Sequence, residues 1–244
     1  MYSLFAKYYD AFTLDVDYAA RAQYLCSLIE KYGKGKGILL DLACGTGSMS
    51  FEMERLGFDV IGADISAPML DEAMNKKIAC GSNVMFLNQD MCALDLYGTI
   101  TSCICTLDSI NHLDSLQKVQ EAFEKVSLFM EQGGVFLFDV NTAYKHREIL
   151  GDNAFIFEND TCFLAWQNEA GANESVHMYL DFFERQGDTY LRESEEITEY
   201  YYSEAQLQSA LETAGFALIG IFEDMSENAP TSISERNIFV CKKV

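Results

Sequence analysis

Five short apolar runs, each bounded by Gly, Asp or Asn, recur from about Ile38 to Val140: GILLDLA, FDVIGAD, NVMFLNQD, TITSCICTL and GGVFLFDV. The stretches between them carry apolar residues at helical spacing. Residues 48–56 place Met49, Met53 and Leu56 on one face before Gly57. Residues 67–80 follow Ser66, carry Pro68 near the first turn and stop at Gly81. Residues 115–131 set Leu116, Val119, Phe123, Val126 and Met130 in one stripe. A serine ahead of a periodic run accepts from the first free N–H groups. Proline suits the first turn, and glycine takes the left-handed cap. Alternating buried strands and amphipathic helices predict an α/β fold, with a parallel sheet covered on both faces.

The rhythm changes over residues 141–202. Extended segments are predicted around FIFENDTCFLAW, ESVHMYLDFFE and DTYLRESEEITEYYY. Val176, Met178, Leu180 and Phe182 alternate with His177, Tyr179 and Asp181, the period of a half-buried strand. Turns fall at Gly171-Ala172-Asn173 and Gly187-Asp188. The expectation is a small antiparallel sheet of three strands and two turns, inserted into a core made of residues 1–140 and 203–244. The α/β rhythm then resumes. Ser203 and Gln206 can form a capping box, Leu207, Ala210, Leu211 and Ala214 share a face, and Gly215 ends the helix. FALIGIFED and RNIFVCKKV supply two last strands.

At 244 residues and 49% hydrophobic content the chain suits one globular domain with an inserted subdomain. No apolar window is long enough for a membrane helix, so no membrane partner is expected. The start MYSLFAKYYDAF does not read as a secretory leader, which makes the cytoplasm the expected compartment. A formal net charge of −21 repels phosphate backbones, and lysines concentrate only around Lys31 to Lys36; nucleic acid is disfavoured as a partner. None of the eight cysteines forms CxxC and the three histidines stand apart, so no metal site is expected. A monomer or a homodimer fits equally.

The chemistry concentrates at strand ends. In ILLDLACGTGSMS a buried strand runs into a turn with Gly45 and Gly47, which lets backbone approach a ligand where open α/β sheets bind one. Met49 and Ser50 stand where a dinucleotide fingerprint has its third glycine, which weakens an NAD reading. Asp64 ends the next strand and can accept from both ribose hydroxyls; as an alternative it caps the following helix, although Ser66 already serves there. Asp90 can accept from an adenine amino group, with Met91 and Met69 on the ring faces.

The order DLACGTG, ADIS followed by Met69 and Leu70, NQDM, CTLDSINHL and GGVFLFDV closely resembles the class I S-adenosylmethionine-dependent methyltransferases over residues 36–141. The beginning, FAKYYD with DVDY from Asp15 to Tyr18, resembles a bacterial subgroup of small-molecule-type methyltransferases. That subgroup carries a β-sheet insertion after the fifth strand, matched here by WQNEAG, FFERQGDTYLRE and SERN. Glycine and sarcosine N-methyltransferases look like distant relatives. The resemblance implies a Rossmann-like seven-stranded sheet with an antiparallel last strand and S-adenosylmethionine as cofactor. It implies that Asp41, Ala43, Gly45 and Gly47 line the methionine part. Asp64 would hold the ribose, Asp90, Met91 and Met69 the adenine, and the Leu107 backbone the sulfonium region. Tyr9 and Tyr18 would fold over the carboxylate end, with Arg21 a further carboxylate partner.

For the acceptor, His112 is the candidate general base, or else a polar loop histidine that orders the chain. Trp166, Tyr179, Phe182, Arg192 and Arg236 are candidate substrate contacts, the aromatics alternatively filling the insert's own core and Arg236 alternatively making an ion pair. The expected function is methyl transfer to a small-molecule nitrogen or oxygen. An RNA or protein methyltransferase and a non-catalytic nucleotide binder are the competing readings. The insert is expected to cover the site as a lid, or else to serve dimerisation through an exposed edge.

Overall fold

The computed structural model describes residues 3–13 and 16–244; Asp15 of the N-terminal motif lies outside them. Two helices come first, α1 (Ser3–Phe12) and α2 (Tyr18–Tyr32), the latter capped by the Asp17 carboxylate accepting from Ala20 N–H. The predicted alternation follows: β1 (Ile38–Leu42), α3 (Ser48–Arg55), β2 (Asp59–Asp64), α4 (Ala67–Cys80), β3 (Met85–Asn88), β4 (Ile100–Cys105), α5 (Leu116–Phe129) and β5 (Met130–Asn141). Ser66 caps α4, with Pro68 in its first turn and Gly81 left-handed at its end. Met130 departs from the predicted stripe. Its dihedrals are extended (φ −83°, ψ 134°), so it ends the helix and opens β5.

The insert follows as β6 (Ala154–Glu158), β7 (Cys162–Ala170), β8 (Val176–Gln186) and β9 (Thr189–Glu199), and the core resumes with α6 (Glu204–Thr213), β10 (Phe216–Glu223) and β11 (Arg236–Lys243). The Ser203–Gln206 capping box is formed. The main sheet has seven strands in the order β10-β11-β5-β4-β1-β2-β3; β1 to β5 pair in parallel and β11 is antiparallel to both neighbours. Successive residues point to opposite faces, so Phe136 and Phe138 pack under α5 and α6 while Val135 and Leu137 pack under α2 and α3. The chain reverses its order across β1, between β4 and β2, and that switch leaves a crevice at the carboxyl ends of the strands.

The second sheet has four antiparallel strands, one more than the sequence suggests. The segment read as one strand over 155–166 is a hairpin. Asn159 Oδ1 accepts from Thr161 N–H (2.9 Å) and Cys162 N–H (2.8 Å), a side-chain turn that folds the run back on itself. The inner face of this sheet packs on α1, with Tyr8, Phe12 and Phe5 around Phe182. Helix α1 therefore touches both sheets' territories. Tyr8 donates to Glu184 (2.6 Å) on β8. At the other end Asp10 accepts from Thr46 (2.7 Å) and Ser48 (3.3 Å) and meets Lys76 Nζ (2.7 Å). Among the described residues, no helix is long and apolar enough to cross a membrane.

Candidate active site

A cavity of about 500 Å³ occupies the crevice, within the range of about 300–1,000 Å³ usual for small-molecule sites. Its floor is the turn after β1. Ala43 (φ 60°) and Gly45 (φ 53°) both line it, and a Cβ on Gly45 would meet nothing within 4 Å, so the backbone there faces open space. Asp64 stands beside this turn. Its carboxylate accepts from Gly45 N–H (2.8 Å) and from Ser66 N–H (2.7 Å), tying the glycine turn to the start of α4. Each carboxylate oxygen has a second lone pair to offer a ligand. Burial raises the Asp64 pKa, and the two backbone donors pull against that rise. Ile65, Met69 and Met91 make an apolar flank next to it.

The opposite wall begins where β4 ends. Leu107 (φ 57°) and Asp108 (φ 56°) are consecutive non-glycine residues in the left-handed region, a strain of about 1–3 kcal/mol each. The fully buried Asp139 of β5 holds both, accepting from Leu107 N–H (2.9 Å) and Asp108 N–H (2.6 Å). Arg236 bridges Asp139 and Asp108, at 2.6 Å to each. Arg21 makes a two-pronged pair with Asp224 (2.8 and 2.7 Å) and lies 3.8 Å from Asp139. Removing one partner from such a buried network costs about 3–5 kcal/mol, because a charge is left without its counterpart.

Between these walls lie groups that linear spacing does not connect. Asp108, His112 and Glu199 bring two carboxylate oxygens and an imidazole nitrogen within 4.8 Å of one another. The expectation of no metal site rested on spacing alone, and these three types can ligate a cation. Burial pushes Glu199 well above the ordinary carboxylate range, and the Asp108 charge adds to the rise, against a hydrogen bond from Asn141 Nδ2 (2.8 Å). Asp108 goes the other way. Burial is the largest influence and opposes its charge, but Arg236, His112, Lys145 and the hydrogen bond with Glu199 together outweigh it and hold the carboxyl low. His112 has open surface, yet that surface looks into the cavity; the surrounding protein still desolvates the ring and lowers its pKa, with Asp108 and Asp64 pulling against the fall.

The cavity gathers Tyr9, Ala43, Gly45, Asp64, Met69, Met91, Leu107, His112, Trp166 and Arg236 of the residues singled out in the sequence. The others stand outside it. Asp41 is 1% exposed beneath the turn, bonded to Ser50. Gly47 caps α3 at φ 77°, and a Cβ there would fall 2.8 Å from Phe86, so its smallness serves packing. Asp90 is exposed and caps a short turn by accepting from Cys92 N–H (2.8 Å). Tyr18 packs on the α2–α3 side of the core, and Arg21 is taken by Asp224. In the insert, strand alternation sorts the candidates. Phe182 faces inward but lies under α1 in the core. Tyr179 faces outward, its hydroxyl donating to Glu169 (3.2 Å), and Arg192 pairs with Asp181 on the same outer face. These three do not reach the cavity. Asp108, Asn141, Glu199 and the rings of Phe5, Phe12, Phe155 and Phe157 do, although the sequence did not single them out. Phe5, Tyr8, Tyr9 and Phe12 at helical spacing were the available signal for α1.

The sequence matches the family described as "Methyltransferase domain" over residues 39–134. It is 31% identical to YqeM of Bacillus subtilis, which carries a provisional methyltransferase name, over 100% of this chain and 97% of that protein. Among solved structures it resembles an S-adenosylmethionine-dependent methyltransferase from Clostridium acetobutylicum, with a TM-score of 0.88 at 29% identity, covering 97% of this chain and 96% of that one. A sugar N-methyltransferase from Streptoalloteichus shares the fold with a TM-score of 0.80 at 18% identity, over 96% and 92% of the two chains. The strand order, the open glycine turn and these likenesses over the whole length agree: the chain belongs to the class I S-adenosylmethionine-dependent methyltransferases.

Proposed function

We propose that this methyltransferase acts on a small molecule held inside the cavity, under a lid formed by residues 141–202. The observation that carries this reading is the cavity's second half. Phe155, Phe157, Trp166, Met178 and Leu180 of the insert face the wall that bears Asp64, and Phe5 and Phe12 of α1 close the side. A largely apolar chamber partly covered by the insert suits a compact acceptor and limits water. A polymer would need an open, basic track, and the chain's net charge is −21.

The donor set suits S-adenosylmethionine. Asp64 has lone pairs for the ribose hydroxyls, Met69 and Met91 offer apolar flanks for the adenine, and the open backbone at Ala43 and Gly45 admits the amino-acid part. When bound, the cofactor supplies an activated methyl group on sulfur. The chain's own work is to hold the acceptor in line with that group, which is worth up to about 7–11 kcal/mol of barrier in favourable cases. Leu107 and Asp108, fixed by Asp139, place the backbone between the two halves.

Asp64→Ala should weaken S-adenosylhomocysteine by about 1.5–3 kcal/mol in calorimetry, the scale of hydrogen bonds to a charged group. An unchanged dissociation constant would remove Asp64 from the site. For the acceptor, isotopic methyl label should enter the low-molecular-weight fraction of a cell extract. Label appearing in RNA or protein would overturn the small-molecule reading.

A further inference from the structure

We propose that the acceptor is an amine, held as its ammonium form by the carboxyl groups of Asp108 and Glu199, and that His112 takes the proton that frees the nitrogen lone pair. The inference rests on the cavity being the methyl-transfer site. Its basis is an imbalance of hydrogen-bonding groups and of charge at one end of that cavity.

The hydrogen bonds are short of donors. Asn141 lines the cavity, is 2% exposed, and has a side-chain oxygen with no donor. His146 is 1% exposed. Its Nδ1 lies 2.7 Å from the Glu174 carbonyl, which fixes that nitrogen as the N–H and leaves Nε2 as an acceptor. Nε2 has no hydrogen-bond partner and points at Glu199 Oε2 across 3.5 Å. Two orphaned acceptors therefore border two carboxyl groups and an imidazole. The one proton on Glu199 is shared with Asp108, so acceptors still outnumber donors here and a further donor would satisfy them. An ammonium carries up to three N–H donors; an alcohol carries one.

The charges are short of a cation. Arg236 stands between Asp108 and Asp139, and Arg21 between Asp224 and Asp139. Those carboxylates consume both guanidiniums, and Lys145 is engaged by Glu235 at 3.6 Å. Glu199, 4% exposed, accepts from the Asn141 amide and shares a hydrogen bond with the Asp108 carboxyl; among the described residues no lysine or arginine pairs with it, and its raised pKa means that it holds a proton in place of a counter-charge. An ammonium can replace that proton and restore the balance. A divalent metal ion is the less favoured occupant, because the Arg236 guanidinium held at 2.6 Å on Asp108 repels two charges more strongly than the single charge of an ammonium. The rest of the chamber is apolar and aromatic, which suits a carbon skeleton behind the amine and adds cation–π attraction.

The step balances. The ammonium gives a proton to the neutral His112 imidazole. The freed nitrogen pair forms the new N–C bond, and the pair of the broken C–S bond stays on sulfur. The methylated nitrogen leaves as a cation, and the proton on His112 passes to solvent once the product departs.

The test is calorimetric titration of the full chain, with and without S-adenosylhomocysteine, using benzylamine against benzyl alcohol and cyclohexylamine against cyclohexanol. Each titration is run in two buffers of different ionisation enthalpy. The amine of at least one pair should bind about tenfold or more tighter than its alcohol, with proton release to the buffer. Glu199→Gln should bring that ratio close to one and abolish the release, leaving S-adenosylhomocysteine affinity unchanged. Alcohols binding as well as amines, no amine binding in either pair, or Mn²⁺ or Zn²⁺ binding that Glu199→Gln removes would each overturn the proposal. Should Glu199→Gln fail to fold, the wild-type ratio and proton release decide it alone. Loss of S-adenosylhomocysteine binding would strike the cofactor reading instead, and separately.

Discussion

Asp41 shows how one buried group can be structural within a binding motif. It sits at the heart of the segment that announced the family, yet it is 1% exposed, lies outside the cavity and has the Ser50 hydroxyl as its hydrogen-bond partner. Burial, opposed by Ser50 and reinforced by the Asp64 charge, pushes its pKa up to about 7 from 3.8. The folded protein therefore keeps the proton between pH 4 and 7, while the unfolded chain gives it up. Wild-type stability should fall as pH rises through that window and level off above it. Against Asp41→Asn, which has no such proton, the gap should shrink by up to about 4 kcal/mol between pH 4 and 7. Urea denaturation of both proteins across that range measures it; a constant gap would mean that Asp41 is ionised throughout. Residue types at strand ends were legible from sequence because geometry there is fixed by the sheet. Asp41 and Asp64 share one face of the sheet, but Asp64 is the last residue of β2 and reaches the cavity while Asp41 lies one residue inside β1 and stays in the core; that difference of depth was not legible.

Elements were read best where the period was long and the punctuation strong. The helices capped by Ser66 and Ser203 form as those serines suggest; the apolar stripe from Leu116 also forms a helix, with Ser115 as its cap. The β6–β7 hairpin was read as one strand because its turn contains no glycine or proline, only the Asn159 side chain folding back. Helix α1 escaped notice because its aromatic face has no meaning until a second sheet exists to receive it. Within the insert, Trp166 and Phe182 share the inner face of the sheet but have different jobs, because Phe182 lies under α1 and Trp166 reaches the cavity. Phe182→Ala opens a hole between β8 and α1 and should cost about 3–5 kcal/mol of stability. Trp166→Ala should cost less, because the ring is half-buried at the cavity wall, and should lower acceptor turnover with S-adenosylhomocysteine affinity nearly unchanged. Thermal unfolding and calorimetry on both variants separate the two; equal stability losses with equal turnover would contradict this division.

At the scale of the whole molecule, the candidate site is assembled from regions that only the completed topology brings together. Asp108 follows β4, Asn141 ends β5, Glu199 ends β9 and Arg236 opens β11. No local window holds more than a fragment of that group, so its chemistry could not be read from spacing, whereas the fold could. Helix α1 has the same bridging character, because it is anchored by Tyr8 to the insert and by Asp10 to the turn after β1. If α1 closes the way out of the cavity, a ligand beneath it leaves only when that helix lifts. Escape is then timed by the latch and not by the ligand's own contacts, so residence time and affinity become separately adjustable. Asp10→Ala removes the latch at the turn without touching the chamber. Stopped-flow chase should show S-adenosylhomocysteine leaving about tenfold faster, with a smaller change in its rate of arrival. Equal exit rates would show that the helix does not time departure. If the exit is quickened, a chamber built to keep water out also acts as a clock: each turnover lasts at least as long as α1 takes to open, however fast the methyl group moves.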